Sequence, residues 1–119
     1  MREPLTVAVA QPPCVAGDVA ANAAAHAAAV RAAGARVVVF PELSLTGYEL
    51  DAPPVSPGDP RLSVLSGGCA STGSVALAGA PVADADGRVY IAMLAADGSG
   101  IAVAYRKMWL GDAEARRFT

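Results

Sequence analysis

Few residues in this chain are able to hold a metal or close a covalent staple. It has two cysteines, Cys14 and Cys69, far apart and in no C-x-x-C pair, and a single histidine, His26. That inventory excludes an ordinary zinc site and calls for no disulfide framework. Aromatic residues make up only 5% of the chain, so each element buries thin surface. Lys and Arg form no cluster along the body of the chain, and the formal net charge is −2. Nucleic acid is therefore not expected as a partner. No apolar run is long enough to span a membrane without a polar or charged interruption. Met1-Arg2-Glu3 followed by Leu5 to Ala10 has the outline of a leader, but the apolar run is short, Glu3 is acidic and Pro12-Pro13 follow; a cytoplasmic protein is expected. No glycine-rich phosphate loop and no G-x-S-x-G elbow occurs, so a nucleotide site and a serine triad both fail.

What is present is apolar: 54% of the 119 residues are hydrophobic and 17% charged, the profile of one globular domain with a real core. Leu5 to Ala10 reads as a first strand. Asp18 is a good N-cap, Val19 through Ala33 is dense in alanine, and Gly34 supplies a stop, which predicts a helix. Asn22 and His26 share one face of it, and His26 is expected there in solvent. Val37 to Phe40 reads as a strand buried on both faces, parallel to the first. Ala52 to Pro60, with four prolines in nine positions, is a loop. Arg61 to Ser71 reads as a weak helix that Gly67-Gly68 interrupts. Val75 to Ala80, Arg88 to Ala95 and Ile101 to Tyr105 are strands, the last two set off by the turns at Asp84-Ala85-Asp86-Gly87 and Asp97-Gly98-Ser99-Gly100. A parallel opening is thus followed by an antiparallel meander. Met108 to Thr119 shows no clear period.

Chemistry concentrates at two strand ends. Pro41 ends a strand and Glu42 follows at once; Lys107 directly follows another strand. An acid at the mouth of an apolar strand reads either as a solvated flank or as a general base in apolar surroundings. Cys14, in a loop, and Cys69, in the weak helix, read as small hydrophobes.

Together with their flanks these residues resemble the nitrilase superfamily of carbon–nitrogen hydrolases. The resemblance is carried by Val9-Ala10-Gln11, Gly17-Asp18, Asn22, Phe40-Pro41-Glu42 with Gly47-Tyr48, Gly79-Ala80-Pro81, Gly87-Arg88-Val89-Tyr90 and Tyr105-Arg106-Lys107, in that order over residues 5 to 119. It implies an α/β fold, part of a four-layer α-β-β-α sandwich, and hydrolysis of a small amide or nitrile with no cofactor and no metal. It further implies Glu42 as the base, Lys107 as the oxyanion stabiliser and Glu114 as a positioning acid. Tyr48 and Trp109 are candidate pocket residues by position, with Trp109 otherwise expected in the core. Association as a homo-oligomer is common in the family.

Two positions depart from the family pattern: Ile91 stands where a polar asparagine is common, and Trp109 where many members have histidine. The family's nucleophilic cysteine follows the lysine at a distance that 119 residues do not reach. The expectation is therefore a single N-terminal portion of the hydrolase domain, inactive alone, with apolar faces left bare. The alternatives are a non-catalytic binding or association module, or one half of a split enzyme.

Overall fold

The computed structural model describes residues 3–119; Met1 and Arg2, part of the leader-like opening, lie outside them. Five strands form one mixed sheet in the order β1-β2-β3-β4-β5. Strands β1 (Val7–Val9), β2 (Val37–Val39) and β3 (Val75–Ala83) run parallel, and β4 (Val89–Asp97) and β5 (Gly100–Arg106) continue antiparallel. Helix α1 (Val19–Ala33) crosses from β1 to β2, α2 (Ser63–Thr72) precedes β3, and a short α3 (Asp112–Ala115) follows β5. Single 3-10 turns occupy Ser44–Thr46 and Pro60–Leu62.

Helix α1 starts and stops where its end residues dictate. The Asp18 carboxylate accepts the Ala21 N–H at 3.0 Å, satisfying an orphan donor of the first turn, and Gly34 closes the helix in the left-handed region. Gly67-Gly68 does not break α2. A β-carbon on Gly68 would sit 3.4 Å from both the Cβ and the carbonyl oxygen of Ala27, so its absence lets α2 lie close against α1 and the packing outweighs the propensity cost.

Both helices cover the same face of the sheet. Val38, Phe40, Ala76, Ala78, Ala80, Leu94 and Ala96 meet Val19, Ala23, Val30, Leu62, Leu65 and Cys69 in one core. Small alanines on both sides bring helix and sheet close together. The other face is a different surface. Register places Val7 beside Val37 and Val75, Val9 beside Val39 and Leu77, and Met93 beside Tyr105. No helix covers these residues: Val9 is 77% exposed and Tyr105 56%. The second strand is thus buried on one face and half-buried on the other, instead of on both, because among the described residues only one layer of helices packs on the sheet. Among the described residues, no helix is long and apolar enough to cross a membrane.

Three sequence expectations are corrected here. His26 is buried, not solvated, because alanine surrounds α1 on all sides and the face that packs is chosen by the larger Val19 and Val30. Trp109 is 87% exposed, not in the core, since it lies on the segment leaving β5 with nothing over it; Phe118 instead joins Leu43 and Ile91 in a small second core. Cys14 is exposed in the loop after β1, whereas Cys69 is buried as expected.

Candidate active site

The chain leaves β2 through Phe40, whose N–H donates to the Leu77 carbonyl at 2.8 Å, and then turns sharply. Leu43 is in the left-handed region at φ 52°, which costs a leucine roughly 1–3 kcal/mol. Beneath it the turn rests on β3 at Gly79, where a β-carbon would come within 2.7 Å of the Pro41 carbonyl oxygen and 2.9 Å of the Glu42 carbonyl carbon. The 3-10 turn at Ser44–Thr46 follows, and Gly47 and Tyr48 both have positive φ. That reversal carries the Tyr48 hydroxyl back to donate to Glu42 Oε2 at 2.8 Å.

Lys107 arrives from the far side of the sheet. Its N–H extends the β4–β5 ladder by donating to the Ile91 carbonyl at 2.8 Å. The ammonium lies 2.8 Å from Glu42 Oε1 and donates to both oxygens of Glu114, at 2.8 and 2.9 Å. Glu114 is fixed in turn by the start of α3, where its carboxylate also accepts the Gly111 N–H at 3.2 Å. One ammonium therefore bridges two carboxylates supplied by chain segments more than sixty residues apart. Hydrogen bonds to Glu114 and Glu42 hold Lys107 far above the ordinary lysine range, so it stays charged. The Lys107 hydrogen bond conversely holds the Glu114 carboxyl below its usual value. The bond to Glu42 pushes the Tyr48 phenol up.

A cavity of about 200 Å³ opens beside the ion pair, lined by Glu42, Ile91, Ala92, Met93, Tyr105 and Lys107. Its wall is apolar apart from the two charged groups, an arrangement that suits a small organic group presented to an acid–base pair. A smaller hollow of about 150 Å³ on the Tyr48 side of Glu42 includes Cys14 and Ser44. The structure thus brings together Glu42, Lys107, Glu114 and Tyr48; Trp109 lines neither space. Neither cysteine is activated: the Cys14 thiol points to the Pro12 carbonyl at 3.4 Å, and burial pushes both thiols up, away from the thiolate. Among the described residues, no cluster of His, Cys, Asp and Glu is arranged to hold a metal ion.

Sequence reasoning missed the residues behind Glu42. The Asn22 side chain accepts from Val15 N–H at 2.7 Å and donates to the carbonyls of Val15 and Leu45 at 2.8 and 3.0 Å, tying α1 to both loops. His26 lies between the Asn22 carbonyl, 2.6 Å from Nδ1, and the Ser44 hydroxyl, 2.8 Å from Nε2. The signal was the i, i+4 pair of polar residues on a helix whose one other polar residue is Arg31 in its last turn, a pair that marks a buried network as readily as a wet face.

Burial pulls His26 below its ordinary 6.5, the Asn22 hydrogen bond opposing only in part. Between the two values the unfolded chain binds a proton that the folded chain refuses, so acid favours unfolding. Stability is expected to fall as pH drops below 6.5, measured as the urea midpoint between about pH 7.5 and 5. His26→Phe is expected to flatten that slope; an unchanged slope would assign it to other groups. The lowered carboxylates Asp59, Asp84, Asp97 and Glu114 act in a separate window, below their ordinary 3.8 and 4.5.

Comparison with known proteins places the fold. A CN-hydrolase superfamily protein from Xanthomonas campestris, solved with an arsenic adduct in its active site, superposes at TM-score 0.83 and 18% identity, over 99% of this chain and 46% of that one. The NitN amidase from Neterenkonia sp. gives 0.80 and 22%, over 98% and 49%. An N-terminal amidase gives 0.73 and 23%, over 93% and 29%. At these identities the likeness is one of fold, and the chain spans between about a third and a half of those proteins' lengths. Comparison with the curated proteins returned no match. The carbon-nitrogen hydrolase family model matches residues 6–119, and the chain belongs to that family.

Proposed function

We propose that this chain supplies the base and the oxyanion-stabilising cation of a hydrolase that cleaves small amides or nitriles, with the nucleophilic thiol contributed from outside residues 1–119. The observation that carries the reading is the Glu42–Lys107–Glu114 bridge at the edge of an apolar cavity. The fold shared with two amidases supports the amide side of it.

The chemistry follows from where the charges sit. Glu42 accepts the thiol proton as sulfur bonds to the amide carbon, and the π electrons move onto oxygen. Lys107, kept charged by two carboxylates, turns an N–H toward that oxyanion. Collapse expels the amine, which takes the proton from Glu42. Water then attacks the thioester, Glu42 accepting its proton, and the carboxylic acid and thiol are released. Glu114 holds the ammonium in place throughout. Ile91, Met93 and Tyr105 offer the acyl portion an apolar wall.

A second reading, a non-catalytic association module, has one observation in its favour: Tyr105, Met108 and Trp109 stand exposed beside the site. The test is the coding sequence beyond Thr119 in all frames, with the intact mass of the native product. Continuation into a strand and then a cysteine at a tight turn is expected. A native mass of 11.9 kDa with no such continuation would favour the association module, or a thiol supplied by a separate chain.

A further inference from the structure

We propose that His26 and Ser44 form a buried positioning relay that fixes the turn presenting Glu42. The assignment of Glu42 as the base gives the relay its purpose, and that part rests on the proposed function.

The hydrogen-bond directions follow from the partners. The Asn22 carbonyl is only an acceptor, so His26 Nδ1, 2.6 Å away, carries a hydrogen. A neutral ring then has a lone pair on Nε2, which accepts the Ser44 hydroxyl at 2.8 Å. The same hydroxyl oxygen accepts the Gly79 N–H at 3.2 Å. The polarity runs one way, from Gly79 on β3 through Ser44 in the turn to His26 and the Asn22 carbonyl on α1. No side-chain donor or acceptor in it is left without a partner. A charged His26 would break this order: its Nε2–H would become a second donor to the Ser44 oxygen, and the hydroxyl proton would lose the ring nitrogen as its acceptor.

The placement also argues for positioning over filling. Ser44 lies two residues beyond Glu42, with the strained Leu43 between them. A turn held in an unfavourable conformation persists only where its surroundings over-determine it. Here the ring of His26 stacks on Phe40, centroids 4.1 Å apart, just before the turn, while Nε2 holds Ser44 just after it. Phe40 and Ser44 bracket Glu42, and one imidazole contacts both. An apolar core residue of the same shape would fill the space and leave the turn unbonded.

The Tyr48 phenol reports where the Glu42 carboxylate is, because it donates to Oε2. In the intact chain with ring-labelled tyrosine, NMR titration of wild type, Ser44→Ala and His26→Phe is compared, with Tyr48→Phe assigning the resonance. His26→Phe keeps a stacked ring and removes both hydrogen bonds. In each relay variant the Tyr48 titration is expected to move down from its wild-type position toward the ordinary value of 10. An unchanged Tyr48 titration in both, with native circular dichroism, would overturn the relay. Should neither variant fold, ring ¹⁵N spectra of wild type decide: a protonated Nδ1 with a bare Nε2 supports it, and the opposite tautomer or a doubly protonated ring refutes it. Neither readout involves turnover, so the relay stands or falls separately from the role of Glu42 in catalysis.

Discussion

Gly79→Ala is expected to cost more than about 3 kcal/mol, or to prevent folding, although it adds one methyl group. The new carbon would meet the Pro41 carbonyl oxygen at 2.7 Å and the Glu42 carbonyl carbon at 2.9 Å, and would crowd the Leu43 nitrogen more closely still. All three are backbone atoms, so no rotamer change relieves the clash. Either β3 or the Glu42 turn must move, and moving the turn also separates the Gly79 N–H from the Ser44 hydroxyl. Denaturant unfolding of wild type and variant measures the cost. Loss of less than about 1 kcal/mol would show that the turn does not rest on β3 as described. The effect matters beyond stability, since the residue being displaced is the candidate base.

Lys107→Met is expected to have the largest effect on the electrostatics of the site. It removes the cation shared by Glu42 and Glu114 and leaves both carboxylates without their partner, Glu42 beside the apolar cavity. The Glu114 carboxyl, now held down chiefly by its hydrogen bond to Lys107, is expected to titrate higher. The sign follows directly: a carboxyl lowered by folding stabilises the chain above its ordinary 4.5 and loses that contribution as pH falls. In Lys107→Met that acid-side loss should shrink, as read by carboxyl-carbon NMR and by unfolding between about pH 6 and 3. An unmoved Glu114 would mean that the bridge does not persist in solution. In a product that also carries the thiol, the same substitution should lower turnover by about 10²–10³, the scale of losing an oxyanion donor.

Much of the fold was legible because local chemistry and tertiary demand agree. Asp18 and Gly34 mark the ends of α1 with side-chain and backbone geometry of their own. The turns at Asp86-Gly87 and Asp97 to Gly100 delimit β4 and β5 in the sequence as in the structure. What was not legible depended on contacts between distant segments. An alanine helix has nearly the same character on every side, so nothing local says that Asn22 and His26 face inward. Gly68 reads as a breaker until Ala27 is seen against it. Trp109 reads as core on hydrophobicity alone, but its exposure is set by what covers it, which no local rule contains. The short α3 was missed since four residues carry no period.

The candidate site divides the same way. Glu42 and Lys107 stood out as charges at the ends of apolar strands, and the family resemblance linked them to one chemistry. That one ammonium touches both Glu42 and Glu114, and that Tyr48 turns back onto Glu42, comes from strand register and from three left-handed residues, Leu43, Gly47 and Tyr48. Ser44 gave no signal, being a small polar residue in a turn, where such residues are ordinary.

We propose that these 119 residues hold the base and the cation but not the nucleophile. Hydrolysis of small aliphatic amides by the purified 119-residue chain, alongside Glu42→Gln and a double Cys14→Ser, Cys69→Ser variant, tests it most directly. All three are expected at the uncatalysed background. Turnover by the wild-type chain that either variant abolishes would contradict the claim, and would place the attacking group within these residues.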